Sequence, residues 1–226
     1  MKNLVNVTST FSVFGNLSSF ISGIESIKSN LKGFECREGQ EQLPNGLPSK
    51  NYVLQKDNVA IVIRSYRLDF QFGYRNENDK VEDFLKFVDE SVKALSPIST
   101  IKFNRVSFND VNFVTKDEET LRNFAEIFNA NSVFGANADE LQVRINNVIS
   151  VNNESTNAVI LMQDGFVAKK NPDGNDPKQA VIFINNDINT LAQNREQRFT
   201  LEESAKLFVD FVMVGKERTN TILSRI

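Results

Sequence analysis

Residues 3–14 alternate apolar and polar side chains, with Val5, Val7, Phe11 and Val13 as the apolar members, the period of a strand with one buried face. From Asn16 the spacing lengthens. Leu17, Phe20, Ile21, Ile24, Ile27 and Leu31 recur at helical intervals until Gly33, which predicts a helix over 16–33. Residues 33–50 carry no period, contain the turn-rich Leu43-Pro44-Asn45-Gly46-Leu47-Pro48, and read as a loop. Three strands follow at 52–55, 59–65 and 68–74, joined by turns short enough to make them antiparallel neighbours. Asp79 with Glu82 forms a capping-box pattern for a helix to about Leu95, whose inward face carries Val81, Phe84, Leu85, Val88, Val92 and Leu95.

The same order returns in the second half. A strand over 101–114 changes phase between Phe103 and Val106, which predicts a bulge or bend near Asn104-Arg105. Thr115 to Glu118 caps a helix with Leu121, Phe124, Ala125 and Phe128 inward, and strands at 141–151, 158–167 and 180–188 follow. A last helix opens at Thr200 and runs to about Leu223, with Phe208, Phe211, Val212, Gly215, Thr219 and Ile222 on one face. Val81-Glu82-Asp83-Phe84 and Leu201-Glu202-Glu203-Ser204 open equivalent helices 120 residues apart (201 minus 81). The expectation is therefore α+β: two related β-α-β-β-β-α halves, 1–98 and 99–226, intimately packed, with antiparallel sheet covered on one face by helices.

Composition changes this picture in three ways. Nineteen Phe beside three Tyr and no Trp require an aromatic core, because a phenyl ring has no polar handle to place in water. The absence of histidine removes Ser-His-Asp chemistry and the commonest zinc ligand, leaving carboxylate-held magnesium as the surviving metal chemistry. A net charge of −3 weighs against nucleic acid, whose binders carry a basic stripe. No run of about 18 apolar residues spans a membrane, and no signal-peptide pattern stands at the start. Cys36 is the single cysteine and lies among acids that disfavour its thiolate. These features place the expected protein in the cytoplasm, without a cofactor.

Three pieces of the chain carry a family resemblance. The segment Ile101-Lys102-Phe103-Asn104-Arg105-Val106-Ser107-Phe108-Asn109, the strand end Ile184-Asn185-Asn186-Asp187-Ile188-Asn189 and the long terminal helix resemble a sporadically distributed prokaryotic family of uncharacterised proteins. That family shows an arginine-bearing strand with an asparagine, an aspartate-containing strand and a Phe-rich helix. The resemblance implies no activity and transfers no catalytic residue.

Candidate chemistry is sparse. Asp69 and Asp187 occupy comparable strands of the two halves and together would suit a hard cation, although Asp and Asn near strand ends serve turns for conformational reasons alone. Arg64, Arg67, Arg105 and Arg144 lie on or beside strands and would grip a phosphate or carboxylate if two or more converged on one sheet face. The run 169–178, with Lys169, Lys170, Asn171 and Asp173, matches neither a phosphate loop nor a calcium loop and reads as a protruding partner contact. The leading functional expectation is a non-enzymatic factor that binds another protein and has a phage or mobile-element character. The alternatives are a binder of small anions with a Phe-lined pocket and a magnesium-dependent enzyme. Homodimerisation is the default for any of these.

Overall fold

The computed structural model describes residues 4–43, 46–76, 78–127, 142–168 and 177–225, whose strands join into one nine-stranded sheet. In chain order the elements are β1 (Val5–Phe14), α1 (Ser18–Ser22), α2 (Ile24–Asn30), β2 (Glu35–Gln42), β3 (Pro48–Lys56), β4 (Val59–Ile63), β5 (Arg67–Gly73), α3 (Val81–Leu95), β6 (Arg105–Thr115), α4 (Glu118–Ile127), β7 (Gln142–Val151), β8 (Glu154–Ala168), β9 (Lys178–Thr190) and α5 (Leu201–Leu223). Across the sheet the order is β2-β3-β4-β5-β1-β6-β9-β8-β7, with every pair antiparallel. The class is α+β. Strands β1 and β6 meet at the centre, so the sheet runs unbroken across the junction at residue 98. No helix among the described residues is long and apolar enough to cross a membrane.

Three local readings change. Residues 35–42 form an edge strand rather than a loop, paired with β3 from Glu35↔Gln55 to Gln42↔Pro48. An edge strand with mostly exposed side chains needs no apolar alternation, so the pattern carried no sign of it. Gly23 divides the helix expected over 16–33 into α1 and α2. The break expected near Asn104-Arg105 is present as a bend at Asn104, just before β6 begins, and a separate register shift stands in β1 between Asn6 and Thr8 opposite β6. Phe103 precedes β6 and makes an isolated bridge to Phe199, which accounts for its separate phase. In α3 the carboxylate closing the first turn is Asp83, accepting the Lys80 N–H at 2.8 Å, while Asp79 accepts from Arg75 N–H.

One parity of each strand faces the helices. Phe11 and Val13 of β1, Phe70 of β5 and Val106 and Phe108 of β6 pack there against Phe84 of α3 and Phe208, Phe211 and Val212 of α5. Phe208 is the hub: its ring centroid lies 4.6 Å from Phe11, 5.3 Å from Phe84 and 5.7 Å from Phe108. Phe87, outside the face expected for α3, is buried and stands edge-on to Phe70. A smaller apolar cluster of Val114, Ile160, Met162, Ile182, Ile184 and Leu223 lies beyond it under the far end of α5.

Helix α5 comes close to the sheet at Gly215, where a Cβ would stand 3.0 Å from Phe108 Cε1 and 3.5 Å from Ile188 Cδ1. Gly215→Val therefore forces helix and sheet apart. We expect it to lower stability by about 1–3 kcal/mol, read as an earlier urea midpoint.

Candidate functional site

The second parity of the strands faces away from α3 and α5. At the centre it presents Thr8, Thr10 and Ser12 of β1 beside Val111, Asn109 and Ser107 of β6, in register. Gln71 of β5 adjoins Thr10, and Asp187 and Asn189 of β9 adjoin Asn109 and Ser107. Uncharged amides and hydroxyls dominate this centre because the alternation that sends Phe and Val to the helices leaves Asn, Gln, Ser and Thr on the other side. Nine strands at about 4.8 Å spacing make the face roughly 38 Å wide.

Three arginines and two acids gather at one end of this face. Phe14, the last residue of β1, lies in register with Arg67 on one side and Arg105 on the other. Both guanidinium carbons sit over its ring, at 5.8 Å for Arg67 and 4.8 Å for Arg105. The tight β4–β5 turn, closed by Arg64 N–H donating to Arg67 C=O at 2.9 Å, brings Arg64 to the same place. Asp69 is fully buried there: Ser12 Oγ donates to it at 2.7 Å, Arg67 Nε lies 2.8 Å from its Oδ1, and Arg64 forms an ion pair with its Oδ2. Glu41 of β2 adds a second acid, 3.6 Å from Arg64 Nε.

Arg105 differs. Its Nη2 donates to Asn189 Oδ1 at 2.9 Å, and its buried Nε has no hydrogen-bond partner among the described residues. Asn189 in turn donates to Asp187 Oδ1 at 3.0 Å, so an amide stands between arginine and acid. Among the described residues Arg105 has no carboxylate within ion-pairing distance.

The structure brings Arg64 and Arg105 together but leaves Arg144 apart, exposed on β7, three strands from β6. Asp69 and Asp187 share the open face yet are also three strands apart, about 14 Å. One ion cannot bridge that gap, and Asp69 already holds two arginines. No group of three or more cysteine, aspartate and glutamate side chains suited to a metal occurs among the described residues. Lys169, Lys170, Asn171 and Asp173 lie outside the described residues. Cys36 is half-buried, and burial pushes its thiol above the ordinary value of 9.0, with Glu25 and Glu38 acting the same way.

A polar seam on the helix side escaped the reading of the sequence. Asp110 of β6 accepts from Asn112 Nδ2 at 2.8 Å and is hydrogen-bonded to Asn186, whose Nδ2 donates to Thr219 of α5 at 2.9 Å. Its Oδ1 is shut off from solvent with no partner. Burial raises its pKa above 3.8, against the pull of those hydrogen bonds. Nearby, burial lifts Tyr74, which shares a 3.0 Å hydrogen bond with Ser9, to about 12. The signal was parity: Asp110 and Asn112 fall in phase with Val106, Phe108 and Val114.

For an acid whose folded pKa lies above its unfolded one, the native state holds the proton more tightly. Stability is then fullest below 3.8 and declines as pH rises through the folded pKa. Asp110→Asn removes that loss. Its urea midpoint should exceed the parent's at pH 7, and the gap should close as pH falls toward 3.8.

No family model and no curated protein matches the chain.

Proposed function

We propose that the protein is a non-enzymatic binding module that contacts another protein through the face of its sheet turned away from α3 and α5. The observation that carries this reading is the division of the sheet. One side is packed with phenylalanine under α3 and α5, and the side turned away from those helices offers half-buried Thr10, Gln71, Asn109 and Asn185. Such groups hydrogen-bond a partner at small desolvation cost, whereas catalysis needs a reactive group in a cleft. Apart from the additional edge strand β2, the two halves share one order, β1-β5-β4-β3 and β6-β9-β8-β7, which supports descent from a doubled unit. Membership of the sporadic prokaryotic family, a phage or mobile-element setting and a cytoplasmic location belong to the same proposal.

A photo-crosslinking residue placed at Gln71 or Asn109, and separately at Glu90 of α3 or Met213 of α5, tests it in lysate of the native cell. Adducts with one partner are expected from the first pair. Adducts from the helix-side pair alone would overturn the reading, and so would no adduct from any of the four.

A further inference from the structure

The three arginines at the β1 end of the open face are not equivalent, and the difference assigns a ligand chemistry. Arg64 and Arg67 share the buried carboxylate of Asp69, and Arg64 also approaches Glu41. Two cations thus meet two acids. Arg105 is the third cation at this corner and meets none directly. A guanidinium laid on a phenyl face and tied by one amide is oriented but not neutralised, and a partly desolvated charge of that kind is stabilised by an incoming anion. Phe14 fixes the plane of the guanidinium, Asn189 fixes its rotation about that plane, and Arg67 across the ring adds positive potential. Asp187 opposes this through Asn189, which makes the site one for a single anionic group and not for a polyanion.

We infer that the Arg67–Phe14–Arg105 corner binds one oxyanion group, a carboxylate or phosphate. On the reading of the open face as the contact surface, on which this inference rests, that group is an acidic or phosphorylated side chain of the protein partner.

Titration of the purified chain with inorganic phosphate and with acetate, against chloride at equal ionic strength, tests the site. The thermal midpoint and the Arg Nε–Hε resonances serve as readouts. We expect a saturable rise in midpoint with phosphate or acetate, and movement of the Arg105 resonance. Arg105→Gln should weaken binding about tenfold or more, and Arg105→Lys should weaken it too, because an ammonium lacks the planar stack. Arg144→Gln, on the far edge of the same face, should leave it unchanged. Saturation by phosphate alone would point to a phosphorylated side chain, and saturation by both anions to any acidic one. The inference is overturned if neither anion acts beyond chloride, if Arg105→Gln binds as the parent does, or if Arg144→Gln loses as much. Those failures would leave the crosslinking result standing, so the two readings can fall separately.

Discussion

Asp69→Asn should be among the most destabilising single substitutions in the chain, lowering stability by about 3–5 kcal/mol in urea unfolding. The carboxylate is fully buried and receives Ser12 Oγ, Arg67 Nε and Arg64, so its charge neutralises two guanidinium groups that are themselves two-thirds or more covered. Replacing it by a neutral amide of the same shape removes the counter-charge while leaving Arg64 and Arg67 in place. The amide nitrogen also faces donors where an acceptor stood. The double change Asp69→Asn with Arg64→Gln should recover part of the loss, because one unpaired cation is removed with the acid. Equal stability of the single variant and the parent would show the ion pairs to be ornament, and the corner would lose the rigidity that holds Phe14 between its arginines.

Phe208→Ala should have an effect of similar size for a different reason, about 3–5 kcal/mol. The ring is 1% exposed and touches three other rings, from β1, β6 and α3, so its removal opens a cavity at the point where both halves of the sheet meet both long helices. Phe208→Leu should cost clearly less, since a branched aliphatic side chain refills most of the space. Urea unfolding followed by circular dichroism separates the two variants. A loss below about 1 kcal/mol for the alanine change would mean that this core collapses onto the gap.

What the sequence disclosed follows from how burial writes itself into a chain. Strands with one face against helices, such as β1 and β5, alternate Val, Phe and Leu with Ser, Thr, Asp and Gln, and their parity assigned the correct side to Phe11, Val13, Leu68 and Phe70. The hydrophobic stripe of α5 was equally plain in Phe208, Phe211, Val212, Gly215 and Thr219. β2 was invisible because an edge strand is held by backbone hydrogen bonds to one neighbour and need bury little. Phe87 was missed because the stripe through Val81, Leu85, Val88 and Val92 left it off the chosen face, whereas α3 packs with a wider arc.

The candidate site was half legible. Arg64, Arg67 and Asp69 are close in sequence, and the turn between β4 and β5 makes their meeting almost local. The approach of Arg105 is different in kind. It depends on β1 and β6 pairing at the middle of the sheet in a register that puts Phe14 opposite Arg105, a contact across about ninety residues that no local pattern encodes. The separation of Asp69 from Asp187 likewise comes from strand order and not from spacing.

The central claim is that partners meet the face of the sheet turned away from α3 and α5. Thr10 and Asn109 stand opposite one another at its centre, both half-buried. Replacing both by arginine puts two long cations on that face while leaving the phenylalanine core untouched, so the unfolding midpoint should move little. The measurement is the affinity of this double variant for the crosslinked partner, beside Met213→Arg on the outer side of α5. A loss of tenfold or more for the sheet variant, with Met213→Arg binding as the parent does, is the predicted result; undiminished binding by a folded sheet variant would contradict it.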